Sequence, residues 1–345
     1  EWNALKLLNN KGEFMFPEEH KDYIALLGKS DNYVSWEKLG KLIVDNSALQ
    51  KHINSVLNMK YIDVEAIRKR KFRVLLDCVN GAGVYVMPKL LEEFGCEVVE
   101  YDCEKTGIFP RKPEPLPENL VGTMEAVKQN NVDIGIVVDP DVDRLVLITD
   151  KGEPFSEENT IAQAVKFVLS KEKGNVVVNL STTRTVDDIA DDANCKVFRS
   201  PVGEANVVKK MKEVNAIIGG EGSGGVIFPA LHYGRDALVG TAIILQHLLE
   251  FGGTLSELKD ALPEYHIAKA KIDVGNKNPD ELIENLKIKY SDKNINTLDG
   301  LRIDFDDHWV HFRKSNTEPI IRCIVEAKTE KQAEEFIAKY FAELN

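Results

Sequence analysis

Three carboxylates alternate along one short stretch of the chain, at Asp139, Asp141 and Asp143, and an arginine follows them directly. The runs on either side, residues 132–138 and 145–149, are rich in β-branched residues and predict two buried strands. Carboxylates this close together repel one another unless a cation lies between them. Oxygen donors of this kind suit a hard cation such as Mg²⁺ or Ca²⁺. The stretch therefore predicts a metal-binding loop between two strands, in preference to a solvated acidic turn.

Two other kinds of carboxylate loop fit this stretch poorly. An EF-hand begins with the same alternation but needs Gly at its sixth position and Glu at its twelfth, where this chain has Arg144 and Asp150. It also needs helices on both sides, whereas strands are predicted here. A phosphatase of the haloacid-dehalogenase type has Thr or Val two residues after its second Asp, and that residue here is Asp143. Both alternatives are therefore disfavoured.

A second unusual loop, residues 219–225, places five glycines around one carboxylate and one hydroxyl, Glu221 and Ser223. A glycine-rich backbone can approach a ligand closely. The two side chains can then exchange hydrogen bonds with sugar hydroxyls. The alternative is a flexible hairpin, which would not require a single glutamate at its centre. We favour a binding loop.

A third loop, residues 313–319, joins two predicted strands and carries two cations, two hydroxyls and an amide. Its candidate anion-binding side chains are Arg313, Ser315, Asn316 and Thr317. Cations beside such donors are typical of phosphate sites, whereas an exposed polar turn is the alternative. The three loops together predict a multi-domain enzyme that binds a divalent metal, a polyol and a phosphate, but they do not name the reaction.

Composition narrows the class of protein. The chain has 345 residues, enough for two or three domains, and its net charge of −12 argues against nucleic acid or an anionic membrane as partner. Its five cysteines are odd in number and show no C-x-x-C spacing, which indicates reduced thiols. No apolar run is long enough to span a membrane. We therefore expect a cytoplasmic enzyme.

The order of the predicted elements indicates an α/β fold. Strands and helices alternate from residue 72 to residue 251, which is typical of βαβ units. We expect two consecutive βαβ-type α/β domains and a C-terminal α+β domain, preceded by a helical remnant of a further α/β domain. The expected boundaries are 1–60, 61–154, 155–262 and 263–345.

Within the first of these segments the patterns predict helices around residues 18–27, 36–45 and 48–57, with too few strands for a sheet. A glycine turn at residues 80–83 resembles a weak phosphate cradle. A lone turn of this kind is more often structural, and we interpret it so.

At these three loops the sequence resembles the α-D-phosphohexomutase family. Residues 139–144 resemble its metal loop, D-x-D-x-D-R, residues 220–224 resemble its sugar-recognition loop, G-E-x-S-G, and residues 313–319 resemble its phosphate-binding loop, R-x-S-N/G-T-x-P. The loops also occur in the family's order and spacing. Each motif alone is only moderately specific, but the three in order are a strong signal that covers the whole chain.

The resemblance implies a phosphohexomutase that interconverts hexose 1-phosphate and hexose 6-phosphate through a phosphoserine and a bound hexose 1,6-bisphosphate. Mg²⁺ would neutralise the transferring phosphoryl group. The implied metal ligands are Asp139, Asp141 and Asp143. The implied catalytic side chains are Arg144, which steadies the phosphate, and Lys6, a general acid or base. The implied substrate-binding side chains are Glu221 and Ser223 on the sugar, and Arg313, Ser315, Asn316 and Thr317 on the other phosphate. Monomer and homodimer remain open.

The family's phosphoserine would align about five residues before Glu1, so we expect residues 1–345 alone to be inactive. Gly225 stands where many relatives have His, and residues 201–204 are closer to glucosamine-type members. We therefore favour a phosphoglucosamine mutase, with phosphomannomutase or phosphoglucomutase as the alternative. A metal-dependent sugar phosphatase and a non-catalytic hexose-phosphate binding module are more distant alternatives.

Overall fold

Three separate sheets organise the chain, whose computed structural model describes residues 5–27, 33–275, 277–315 and 320–344. The first sheet consists of β1 (Arg73–Asp77), β2 (Glu97–Tyr101), β3 (Ile134–Val138) and β4 (Leu145–Ile148). Its order is β2-β1-β3-β4; the first three strands are parallel, and β4 is antiparallel to β3. Strands β3 and β4 are buried along their whole length, as expected for a sheet with both faces covered.

The second sheet repeats this topology. It consists of β5 (Asn175–Asn179), β6 (Val197–Ser200), β7 (Ala216–Glu221) and β8 (Gly225–Ile227). Its order is β6-β5-β7-β8, again with three parallel strands and a final antiparallel one. The hairpin between the third and fourth strands is the carboxylate loop in the first sheet and the glycine loop in the second.

Helices cover both of these sheets. They are α2 (Ala48–Leu57), α3 (Val64–Arg70), α4 (Met87–Glu93), α5 (Val121–Asn130), α6 (Glu157–Lys171), α7 (Thr185–Asp192), α8 (Glu204–Val214), α9 (Ala237–Phe251) and α10 (Leu255–Asp260); α1 (Pro17–Leu26) precedes them and has no fully buried side chain among those described. Three short 3₁₀ turns lie at Trp36–Lys38, Ala82–Tyr85 and Pro117–Asn119. None of the helices in the described parts of the chain is both long enough and apolar enough to cross a bilayer.

One continuous apolar core joins the two sheets through α9. Asp236 caps this helix, and Gly252 ends it with a left-handed conformation (φ 75°). Leu238 and Ile244 of α9 and Ile53 of α2 belong to the same buried cluster. A helix that is apolar on every side must be buried on every side. The two sheets, although separate in topology, are therefore packed as one body.

The third sheet is antiparallel and lies at the C-terminus. It consists of β9 (His266–Asp273), β10 (Asn294–Asn296), β11 (Leu301–Asp304), β12 (His308–Lys314) and β13 (Ile320–Ala327), in the order β10-β11-β12-β13-β9. Helices α11 (Pro279–Lys289) and α12 (Glu330–Leu344) cover one of its faces with an apolar core of their own. The predicted α/β class with a C-terminal α+β unit is confirmed.

One predicted helix is wrong. Residues 36–45 form only the turn Trp36–Lys38, and the remainder is irregular and exposed. No side chain that the structure describes between residues 5 and 47 is fully buried. Short helices are marginal unless tertiary packing buries an apolar face. The helical pattern at residues 36–45 therefore had nothing to stabilise it, whereas α2 buries Ile53 and Val56.

The open face of the third sheet packs on the loop after β5 through buried polar groups. His311 Nδ1 lies 2.9 Å from the Ser181 hydroxyl, and its Nε2 lies 2.6 Å from the carbonyl oxygen of Asp299. Because a carbonyl only accepts, Nε2 carries the proton, and Nδ1 accepts from Ser181. Glu326, on the same face, accepts from the backbone N–H of Arg184 at 2.9 Å. A protonated His311 would donate from both nitrogens, reversing the bond to Ser181, and would place a positive charge in a fully buried position.

This interface predicts acid sensitivity. Burial, with a small contribution from Arg302 and Arg313, lowers the pKa of His311 to about 4, whereas an unfolded histidine has a pKa of about 6.5. Between these values the unfolded chain binds a proton that the folded chain does not. The free energy of unfolding should therefore be unaffected above pH 6.5 and fall by about 2 kcal/mol at pH 5.

Urea unfolding at pH 7.5 and pH 5 measures this effect. His311→Gln, which keeps a donor and an acceptor, should reduce the loss of stability on acidification by about 2 kcal/mol, while the contribution of His247, whose pKa burial also lowers to about 4, remains. The partly exposed His266 on β9 provides the control, His266→Gln. An equal loss of stability on acidification in His311→Gln and in the unmodified protein would contradict the assignment.

Candidate active site

The carboxylate loop is held in shape by its own first aspartate. Asp139 Oδ1 accepts the backbone N–H groups of Asp143 and Arg144, both at 3.1 Å, and its Oδ2 accepts from Arg144 Nε at 2.7 Å. Val142 takes a left-handed conformation (φ 64°), which is costly for a β-branched residue. The side chain of Asp139 therefore fixes a strained turn that gathers the other two carboxylates beside it.

The predicted glycine turn at residues 80–83 supports the same loop. The backbone N–H of Ala82 donates to the carbonyl oxygen of Pro140 at 2.8 Å. A Cβ at Gly81 would lie 2.7 Å from Pro140 Cα. Only glycine permits this approach of two backbones, and the contact supports the structural interpretation of the turn.

The three aspartates converge. One oxygen of each lies within 4.8 Å of an oxygen of the others, and burial together with the charge of Asp143 raises the pKa of Asp139 to about 6. Lys6 donates to Asp141 and, at 2.8 Å, to Asp143 Oδ2. Burial alone would lower the pKa of Lys6, but these two bonds outweigh it and raise the pKa. The predicted catalytic lysine and the predicted metal ligands therefore lie together.

An arginine that the sequence interpretation did not assign binds the carboxylate loop to the glycine loop. Arg235 donates to Asp143 Oδ2 at 2.6 Å, to Glu221 Oε2 at 3.0 Å and to Glu204 Oε2 at 3.1 Å. All four side chains are largely buried. A buried guanidinium needs carboxylate partners, and its fork geometry allows several at once. In the sequence, the only indication of a role for Arg235 is that it stands with Asp236 directly before a long apolar helix.

The donor set fits a divalent cation. Five carboxylates, Asp139, Asp141, Asp143, Glu204 and Glu221, form a chain of ion pairs with three cations, Lys6, Arg144 and Arg235. Among the described residues of this network, the negative charges therefore exceed the positive ones by two. One divalent cation would balance this excess. Asp143 Oδ1 is buried without a hydrogen-bond partner among the described residues, and Arg144 Nε lies 3.9 Å from it. Oxygen-only donors favour a hard ion.

The predicted sugar-binding residues lie beside this network. Glu221 Oε1 accepts from Asn179 Nδ2 and from the backbone N–H of Gly203, both at 2.9 Å. Glu221 is only 5% exposed, so its orientation is set by protein contacts. Ser223 lines a cleft of about 550 Å³ together with Arg144.

The opposite wall of this cleft is cationic and comes from the third sheet. Lys269 and Lys271 of β9 and Arg322 of β13 line it. The strand register places Arg313 opposite Arg322, and Arg322 opposite Lys271, so that three cations form one row across three strands. The sequence interpretation found only Arg313 of this row, because residues opposite one another in a sheet are far apart in the chain.

The predicted phosphate loop is only partly described. Arg313 Nε lies 3.0 Å from Asp299 Oδ2 but is not aligned for a hydrogen bond, so the contact is an ion pair. The backbone N–H of Ser315 donates to the carbonyl oxygen of Ile320 at 3.0 Å. Asn316 and Thr317 lie outside the described residues. Their predicted roles stay predictions.

A larger cavity of about 830 Å³ lies alongside and shares Lys269 with the cleft. Glu158, Thr183 and Tyr265 are among the residues that line it. It contains neither the carboxylate loop nor the glycine loop, and its lining includes three acidic side chains of the C-terminal part of the chain: Glu264 before the third sheet, Glu326 on β13 and Glu330 at the start of α12. We therefore place the candidate active site in the smaller cleft.

Three family models match successive parts of the chain. Residues 50–152 match "Phosphoglucomutase/phosphomannomutase, alpha/beta/alpha domain II", residues 157–265 match domain III of the same description, and residues 270–343 match the C-terminal domain. These are the three segments that carry the carboxylate loop, the glycine loop and the cationic row.

Curated and solved proteins agree with these matches. A phosphoglucomutase/phosphomannomutase of Thermococcus kodakarensis is 39% identical over 98% of this chain and 74% of its own length. A probable phosphoglucosamine mutase of Methanopyrus kandleri is 32% identical over 97% of this chain and 74% of its own length. The structure of a phosphoglucomutase/phosphomannomutase family protein of Burkholderia thailandensis superposes with a TM-score of 0.75 at 25% identity, covering 86% of this chain and 64% of that one.

The contact between Gly225 and Arg235 makes a testable prediction. A Cβ at Gly225 would lie 2.4 Å from Arg235 Cδ and 3.0 Å from its Cγ. Gly225→Ala should therefore displace the guanidinium from its carboxylates and lower the free energy of unfolding by about 1–3 kcal/mol, the usual cost of overpacking. Urea unfolding measures the loss.

A double-mutant cycle isolates the cause. In an Arg235→Ala background the added methyl group meets no side chain, and Gly225→Ala should cost little. Gly40→Ala is the control, because no atom lies within 4 Å of a Cβ at that position. The same cost for Gly225→Ala in both backgrounds would show that Arg235 is not the obstacle.

Proposed function

This chain belongs to the phosphoglucomutase/phosphomannomutase family, and on that basis we propose that its site moves a phosphoryl group between positions 1 and 6 of a hexose phosphate. One observation carries the proposal: the cleft has Arg144, at the end of the carboxylate loop, and Ser223 of the glycine loop on one wall, and the cations Lys271 and Arg322 on the other. A ligand with an anionic group at each end and hydroxyls between them is complementary to such a cleft. A hexose 1,6-bisphosphate has this distribution of charge.

We assign the metal site to Asp139, Asp141 and Asp143, with Mg²⁺ as the ion. When bound there, Mg²⁺ supplies electrostatic stabilisation of the transferring phosphoryl group. Arg144 would contact the same phosphoryl group, and its hydrogen bond to Asp139 holds the guanidinium in place. Lys6 is the candidate that gives a proton to the departing oxygen or takes one from the attacking hydroxyl.

The remaining residues position the sugar and the phosphate that does not react. Glu221 and Ser223 would bind sugar hydroxyls. Arg235 is bonded to both Glu221 and Asp143 and so holds Glu221 in a fixed position relative to the carboxylate loop. Arg313, Ser315, Asn316 and Thr317 would bind the second phosphate, joined by Lys271 and Arg322. Holding both ends of the ligand supplies orientation, which is a large part of catalysis in phosphoryl transfer.

Among hexoses we propose glucosamine phosphate first and mannose or glucose phosphate second. Support comes from the names of the relatives, several of which are phosphoglucosamine mutases or probable ones. The 39% identical relative, however, is named a phosphoglucomutase/phosphomannomutase. The two alternatives therefore need a direct assay.

The function is tested with the protein together with any segment that precedes Glu1 in its gene. With Mg²⁺, glucosamine 6-phosphate, glucose 6-phosphate and mannose 6-phosphate are supplied in turn, and the 1-phosphates are followed by ³¹P NMR. We expect isomerisation, fastest for glucosamine 6-phosphate, and loss of activity when EDTA removes the metal.

Other results would support the alternatives. Release of inorganic phosphate, lost in Asp139→Asn, would indicate a phosphatase. Saturable binding without any reaction would indicate a binding module. A polypeptide of residues 1–345 alone is expected to bind hexose phosphate without turning it over, because the resemblance places the phosphoserine ahead of Glu1, and multiple turnover by it would contradict this expectation.

The cationic wall gives a separate prediction. Arg322→Gln removes one charge from the wall while keeping hydrogen-bond donors. Hydrogen bonds to charged groups contribute about 1.5–3 kcal/mol, so we expect KM for the hexose phosphate to rise at least about tenfold with little change in kcat. Lys331→Gln on the far face of the same unit is the matched control, since Lys331 is 85% exposed. Unchanged KM in Arg322→Gln would exclude Arg322 from the phosphate site.

A further inference from the structure

A second cluster of metal-ligating side chains lies outside the proposed active site. It consists of His52 on α2, His232 in the loop after β8, and Asp236, the N-terminal cap of α9. His52 Nε2 lies 2.7 Å and His232 Nε2 2.8 Å from the same atom, Asp236 Oδ2. The three ligand atoms all lie within 4.8 Å of one another.

Hydrogen bonds to the start of α9 fix the position of the carboxylate at the centre of this cluster. Asp236 Oδ1 caps α9 by accepting the backbone N–H groups of Leu238 and Val239 at 2.8 and 3.2 Å. This leaves Oδ2 to face the two imidazoles. Only 6% of the Asp236 side chain is exposed.

The two imidazoles are open to solvent on one side. The side chains of His52 and His232 are 34% and 41% exposed, and their rings meet edge to face with centroids 5.6 Å apart. Two nitrogens and one oxygen that converge with an open side are the arrangement of a three-ligand metal site.

We propose that His52, His232 and Asp236 form a binding site for Zn²⁺, with water as the fourth ligand. Imidazole nitrogen and carboxylate oxygen are both ordinary zinc ligands, whereas Mg²⁺ prefers oxygen alone. With bonds of 2.0–2.1 Å, ligand atoms on a tetrahedral ion lie about 3.3 Å apart. The observed contacts of 2.7 and 2.8 Å therefore need to open by only about half an ångström.

The site joins parts of the chain that are far apart in sequence. His52 lies on the first helix that is packed into the core, and Asp236 directly follows Arg235, the residue that connects the carboxylate and glycine loops. Zinc bound here would fasten α2 to the start of α9 and hold the backbone of Arg235. The site would be independent of the Mg²⁺ proposed for Asp139, Asp141 and Asp143, and its water ligand would occupy an exchangeable position.

Cobalt spectroscopy tests the proposal in the protein without a histidine tag. Metal is removed with chelator, excess Mg²⁺ is added to occupy the carboxylate loop, and Co²⁺ is titrated as a coloured substitute for Zn²⁺. We expect one equivalent to give the visible bands of a four- or five-coordinate nitrogen and oxygen site, and Zn²⁺ to displace it. Absence of such bands, or a thiolate charge-transfer band from one of the cysteines, would overturn the proposal.

Variants confirm the ligands. His52→Gln and His232→Gln should each weaken Co²⁺ binding at least about tenfold, while His266→Gln should leave it unchanged. Asp236 is not substituted because it caps α9. Zn²⁺ should also raise the Tm of the unmodified protein and fail to do so in His52→Gln. Equal Co²⁺ binding by the unmodified protein and both histidine variants would mean that the three side chains are only hydrogen-bonded to one another and do not bind the metal.

Discussion

The ion pairs of Arg235 are the interaction on which the rest of the site depends. A charged group inside a protein is stable only when it is paired and hydrogen-bonded. Arg235 meets this condition with three carboxylates, from the carboxylate loop, the end of β7 and the start of α8. Because the partners come from different elements, the arginine fixes their relative positions. Among the described residues, removing it would leave the buried Glu204 and Glu221 without a cationic partner.

The repeated topology explains why these elements meet. In both α/β sheets a hairpin joins the third and fourth strands, and the two hairpins contact each other through the backbone N–H of Leu145 and the carbonyl oxygen of Gly224, at 2.9 Å. A Cβ at Gly224 would lie 2.4 Å from the carbonyl oxygen of Leu145, and its φ is +86°. Glycine at this position is therefore a steric requirement of the contact between the two loops.

The distribution of charge is uneven in a way that suits an anionic ligand. The chain carries a net charge of −12, which repels phosphates at long range. The third sheet nevertheless presents Arg313, Arg322 and Lys271 as one row, and two of these cations, Arg322 and Lys271, line the same cleft as Arg144 and Ser223. Attraction is thus confined to the cleft, and the surrounding surface disfavours non-specific binding of polyanions.

Residue types and their period along the chain were enough to predict the α/β class, the strands around the carboxylate loop and the three loops rich in functional groups, because these are local properties. They did not predict Arg235 or the row of Arg322 and Lys271, since their partners lie far away in the chain. They also predicted a helix at residues 36–45 from pattern alone, where no apolar partner stabilises one. Tertiary structure decided these points, because burial and charge pairing depend on which distant residues come within a few ångströms.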